Sequence, residues 1–108
     1  MKTIIFTITL LLTSLQVNAG SCASWGCKSI VTKLYTTASG PVYIGTAYDE
    51  KLANCTPVSE VYFTLNMATN NAKEIYASVL AAYSTGKEIG LRVIEGTSNC
   101  EISYVTLD

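Results

Sequence analysis

Four cysteines are the residues whose chemistry is easiest to read in this chain: Cys22, Cys27, Cys55 and Cys100. Thiols at such spacings can be bridged, bound to metal or nucleophilic. Zinc would need paired knuckles or histidine partners, and the chain has no histidine. The same lack removes any Ser–His or Cys–His nucleophile pair. An even cysteine count behind an export signal reads instead as two disulfides, with three connectivities open. Lipid attachment at Cys22 is a further reading, disfavoured because Ala19 stands where lipoprotein signals usually carry a branched residue.

Carboxylates are the remaining route to catalysis, as acid–base pairs. Asp49 and Glu50 are adjacent and would point apart, while Glu88, Glu95 and Glu101 flank the last predicted hairpin. No glycine string is arranged to cradle a phosphate. Catalytic residues, metal ligands and cofactors are therefore expected to be none, and a carboxylate hydrolase remains only as a third hypothesis.

Tyrosine supplies the more informative chemistry. Seven of them, at positions 35, 43, 48, 62, 76, 83 and 104, join a flat apolar ring to a hydroxyl. Such residues stack on sugar rings or fill protein interfaces, although strands also favour tyrosine simply for packing. Tyr35, Tyr43 and Tyr62 are the predicted binding residues. Trp25, close to Cys27, is expected to pack on a local disulfide loop.

The leading segment fixes where this chemistry operates. Lys2, then the apolar run Ile4 to Leu15, then Val17-Asn18-Ala19 form the three regions of an export signal over residues 1–19. The run is too short for a permanent membrane span. Residues 20–108 then form a single disulfide-stapled domain, periplasmic or secreted, with no transmembrane segment. Without Lys2, six basic residues stand against eight acidic ones, a net charge of −2. No basic cluster marks a nucleic-acid partner.

Ile30 to Thr37 and Val42 to Tyr48 are rich in β-branched and aromatic residues and enclose Ser39-Gly40-Pro41, a hairpin pattern. Val61 to Met67 alternates, which predicts Val61, Phe63, Leu65 and Met67 facing the core. Asn71 with Glu74 suggests a reciprocal helix cap, Ile75, Val79, Ala82 and Tyr83 an inward stripe widened by Tyr76 and Leu80, and Gly86 a stop. Ala77, Ser78, Ala81 and Ser84 leave the other side small and uncharged, suited to self-association. Ile89 to Ile94 and Glu101 to Leu107 form a second hairpin around Gly96 to Asn99.

The predicted fold is mainly β with one helix (α+β), in the order strand-strand-strand-helix-strand-strand. That is the order of an OB-fold, a small five-stranded barrel. A three-stranded sheet with a helix and a separate hairpin is the alternative architecture. In the barrel topology the third and fifth strands start side by side, which favours Cys55–Cys100 and leaves Cys22–Cys27.

The stretch Asn71 to Tyr83, with Gly86-Lys87-Glu88, Asn99-Cys100 and Tyr104-Val105, resembles a family of short exported bacterial proteins. In general outline the chain is similar to the B subunits of AB-type toxins, in particular small secreted relatives of the subtilase cytotoxin B subunit. The resemblance implies an OB-fold and a ring oligomer, and it transfers no sugar-contacting residue. The expected function is an exported non-enzymatic binding module that recognises a carbohydrate or a cell-envelope partner. The alternative is a periplasmic inhibitor or envelope protein-interaction domain.

Overall fold

The computed structural model describes residues 20–108; the export-signal reading concerns residues 1–19, which lie outside them. The architecture is mainly β with one helix. In chain order the elements are β1 Ser21–Ala23, β2 Gly26–Ser29, β3 Val31–Thr36, β4 Val42–Thr46 and a 3-10 turn at Glu50–Leu52. There follow β5 Phe63–Leu65, α1 Ala72–Thr85, β6 Ile89–Val93 and β7 Ile102–Thr106.

Seven strands form two sheets, ordered β1-β2-β6-β7 and β3-β4-β5, all their ladders antiparallel. This corrects the expected five-stranded barrel: the described strands do not close. Two features account for the difference. The cysteine-rich lead-in, read as a loop, pairs with itself as β1 and β2, and only Ile30 separates β2 from β3. At the other seam β5 is three residues long, so it meets the β7 segment through a single parallel bridge, Thr64 with Glu101. One bridge is too short a ladder to complete a barrel wall.

β5 is short because the chain turns on either side of it. Ser59 and Glu60 both take positive φ, and Val58 bridges Tyr62 across that turn. The turn lifts Val61 out of the predicted inward row, leaving it 45% exposed, while Phe63 and Leu65 are fully buried and Met67 packs on the core.

The core fills the space between the sheets with Ile44, Phe63, Leu65, Ile89 and Leu91, closed by Val79 and Ala82 of α1. Each fully buried aliphatic or aromatic side chain contributes roughly 1.5–3 kcal/mol. The helix stripe is narrower than predicted. Ile75 and Tyr76 pack on the core, but Tyr83 and Leu80, expected in the same stripe, are 45% and 41% exposed and lie outside the face that packs on it.

The helix termini differ in how well their residues foretold them. Gly86 adopts φ 68° and its N–H donates to the Ala82 carbonyl, as a helix stop requires. Asn71 makes no side-chain cap bond; it is itself left-handed, φ 57°, so its carboxamide cannot reach back over the first turn. The Thr69 carbonyl accepts from the Ala72 N–H instead.

All four cysteines are bridged. Cys22 and Cys27 are register partners across β1 and β2, with Cα atoms 4.0 Å apart. Cys55 joins Cys100 with Cα atoms 5.0 Å apart, fastening the loop before β5 to the start of β7. Two such bridges belong to an oxidising, extracytoplasmic environment. Among the described residues no helix is long and apolar enough to cross a membrane.

Candidate functional site

A β-bulge decides which side chains of β3 face outward. The β3–β4 register pairs Val31 with Thr46 but Lys33 with Gly45, so Thr32 is an extra residue. Without it, strict alternation from the buried Val31 would turn Lys33 and Tyr35 inward. The bulge reverses the phase, sending Leu34 to the core and Lys33 and Tyr35 to the outer face.

Two rows of side chains result on that face. Tyr35 pairs with Tyr43, and Tyr43 pairs with Thr64, so these three stand in one row across β3, β4 and β5. The neighbouring row begins Lys33–Gly45 and is completed by Tyr62. A β-carbon on Gly45 would lie 3.3 Å from Lys33 Cβ and 3.5 Å from Tyr62 Cε1. Glycine there leaves the space in which the lysine and tyrosine lie.

The three tyrosines singled out by sequence therefore meet. Ring centroids are 6.0 Å apart for Tyr35–Tyr43, and 6.2 Å for both Tyr35–Tyr62 and Tyr43–Tyr62, with tilted planes. Lys33 Nζ sits 5.8 Å from the Tyr35 centroid and 5.9 Å from that of Tyr62. Pairs of this kind contribute about 0.5–1.5 kcal/mol, and an exposed cation–π contact about 0.5–1 kcal/mol. Tyr35 remains 48% exposed, so its ring is available to a partner.

Clefts flank this platform. One of about 310 Å³ lies along Lys33, Gly45, Tyr48, Glu50 and Tyr62. The other, about 360 Å³, is lined by Pro41, Thr64, Asn66, Met67 and Asn99 and carries no charged residue. Thr64 is 4% exposed, and its hydroxyl has no hydrogen-bond partner among the described residues. Sequence reading missed Thr64, which looked like an outward polar residue of a simple strand. Its register opposite Tyr43 is visible only once β4 and β5 are paired.

The remaining candidates separate. Glu50 turns inward and its Oε2 accepts from the Thr46 N–H at 3.2 Å, while Asp49 caps the 3-10 turn through the Lys51 N–H at 3.0 Å. Glu95 is exposed and accepts from Asn54 Nδ2. Glu88 is half-buried, with no hydrogen-bond partner for Oε2 among the described residues. Among the described residues no group of three or more His, Cys, Asp or Glu side chains could hold a metal ion.

On the opposite sheet, Arg92 lies between Trp25 and Tyr104, its Cζ 5.7 Å from each ring centroid. Trp25, expected to pack on the disulfide loop, sits at the β1–β2 turn with its ring against this guanidinium. Nearby, Lys28 Nζ and Asp108 Oδ2 form a 2.8 Å ion pair. Their hydrogen bond and mutual attraction raise the lysine above its ordinary pKa and lower the aspartate below its own.

No protein-family model, no curated protein and no solved structure matches the chain. The site must be judged on its own chemistry.

Proposed function

We propose that this is an exported, non-enzymatic binding module whose tyrosine face recognises a carbohydrate. The convergence of Tyr35, Tyr43 and Tyr62 around Lys33, on a face that contributes nothing to the core between the sheets, carries the reading. Stacked rings suit the apolar face of a sugar, and their hydroxyls and the lysine suit its polar edge.

The likeness to toxin B subunits and the ring oligomer it implies rest on the exported, disulfide-tied, mainly β chain with one helix. The export-signal pattern of residues 1–19 supports export to the periplasm or beyond.

A glycan array probed with wild type and with the double variant Tyr35→Ala/Tyr62→Ala tests the proposal. The expected result is a defined set of bound glycans, lost in the double variant while its melting stays cooperative. A protein blind to every glycan removes the reading.

One feature favours the alternative of an envelope protein-interaction domain or periplasmic inhibitor. The outer side of α1 exposes Leu80 (41%) and Tyr83 (45%) among Ala77, Ala81 and Ser84. Sedimentation and pull-down from periplasmic extract separate self-association there from capture of another protein.

A further inference from the structure

A buried carboxylate and the residue that follows the export signal meet at one end of the larger sheet. β1 and β6 run in the same direction on either side of β2, and Ser29 of β2 pairs with Ile89 of β6, so the starts of β1 and β6 lie together. Gly20 stands just before β1 and Glu88 just before β6. A β-carbon on Gly20 would lie 2.7 Å from Glu88 Oε2. We infer that Glu88 is the docking site for the chain's own mature N-terminus: the α-ammonium that export processing creates on Gly20 pairs with its carboxylate. The inference rests on the export reading of residues 1–19 and adds what the cut does for the folded domain.

Glu88 carries the argument. Its Oε2 is buried and has no hydrogen-bond partner among the described residues. A carboxylate oxygen taken out of water without a cation or donor is costly, because nothing replaces its hydration. Two lysines stand near it and are engaged elsewhere. Lys28 Nζ donates to Asp108 Oδ2 at 2.8 Å, and Lys87 Nζ donates to the Asp108 carbonyl at 3.2 Å. Among the attractions that raise the Lys28 pKa, those of Asp108 come first and that of Glu88 last. The carboxylate is thus left for another cation.

Processing supplies one at the right place. Signal peptidase, a membrane-bound endopeptidase, would hydrolyse the Ala19–Gly20 amide. One water is consumed, Ala19 leaves with the new carboxylate, and Gly20 keeps the amine, which is protonated at neutral pH. Before the cut the Gly20 nitrogen is an uncharged planar amide with one N–H of fixed direction. Afterwards it carries a positive charge and three donors. The nitrogen is bonded to the same Cα as the β-carbon position, about 1.46 Å away, and so lies within about 5 Å of Glu88 Oε2. Rotation about the Gly20 Cα–C bond, free at a chain end, closes that distance.

The fold itself demands glycine here. A β-carbon at this position would overlap the Lys28 carbonyl oxygen across the β1–β2 pair. Its lack lets the chain end lie against β2 and reach the start of β6.

The test exports the full 1–108 chain and weighs the purified product intact. Four versions are compared: wild type, Glu88→Gln, a serine inserted between Ala19 and Gly20, and both changes together. The insertion keeps Ala19 at the cut and carries the ammonium one residue, about 3.5 Å, beyond Gly20. The expected wild-type mass begins at Gly20, and the insertion should lower the melting temperature by about 4–8 °C. In Glu88→Gln the same insertion should change melting little, since the charge it separates is already gone. The Glu88 carboxyl carbon signal in NMR should also move between the two N-termini. An insertion that costs the same with Glu88 or Gln, or nothing in wild type, would overturn the inference and leave the export reading standing. So would a carboxyl signal that stays put, or a mature chain that begins at another residue. Met1 still attached would overturn both.

Discussion

Replacing both Cys55 and Cys100 by alanine should cost this protein more than any single surface change. The bridge spans a sequence separation of 45 residues, and in the chain-entropy model its removal frees about 4 kcal/mol of unfolded-state entropy. Cys22–Cys27, with a separation of five, is worth about 2 kcal/mol in the same treatment. A domain of this size has roughly 5–15 kcal/mol in total, so the longer bridge is a large share. Position adds to length. Just before β7, the bond from Thr64 N–H to the Cys100 carbonyl, 3.0 Å, belongs to the lone bridge between the sheets among the described residues. Urea denaturation followed by circular dichroism gives the free-energy difference, and amide hydrogen exchange gives its location. The double variant should lose about 4 kcal/mol, with the Thr64 amide losing protection before the β2–β6 ladder. A loss below about 1 kcal/mol, or uniform deprotection of both sheets, would refute the seam argument, since the bridge would then act neither through chain entropy nor at that edge.

Two further outcomes follow from local geometry. Gly26→Ala should destabilise by about 2 kcal/mol or more, because Gly26 has φ 139° and its β-carbon would lie 2.0 Å from the Leu91 carbonyl oxygen; an unchanged melting temperature would exclude this close approach of β2 to β6. For Lys28 and Asp108, the lowered aspartate contributes stability above its ordinary range that is lost as pH falls through its folded pKa, and the raised lysine contributes below its ordinary value and is lost as pH rises through its own. Both groups are exposed, so carbon-detected NMR titration should show the Asp108 shift disappearing in 1 M salt (a Debye length of about 3 Å) or in Lys28→Ala, with little change in melting; a shift that survives both would point to another cause.

Much of the fold was legible because its signals are local. The β3–β4 hairpin, the helix from Ala72 to Thr85 and the final hairpin each announce themselves by composition, period and a turn or stop residue. What escaped was non-local or depended on backbone phase. Val61 and Tyr83 fit their periodic stripes, yet both are exposed, Val61 because the turn at Ser59 and Glu60 lifts it out of its row. Asn71 and Glu74 have the spacing of a reciprocal cap, but the left-handed backbone at Asn71 removes it. The short β1 fell below any strand pattern and exists because Cys22 and Cys27 hold it against β2.

The bulge at Thr32 shows why the tyrosine site could be named from sequence without being understood. Residue type alone flagged Tyr35, Tyr43 and Tyr62, which lie in separate segments and share no spacing. Their meeting depends on a single extra residue that turns Lys33 and Tyr35 outward and on Gly45, whose missing side chain admits Tyr62. A chain selected only for stability gains little by this, since leaving Tyr35 48% exposed gives up about half the 1.5–3 kcal/mol that full burial of a large apolar side chain contributes. The tilted stacking recovers about 0.5–1.5 kcal/mol per pair and leaves the outer ring surfaces uncovered. A buried threonine hydroxyl without a partner stands in the same row, with the same sign of energetic balance. Stability is given up twice on one face of one sheet while the core behind it is fully packed. A ligand at the proposed tyrosine face would bury the Tyr35 ring that the fold leaves half exposed.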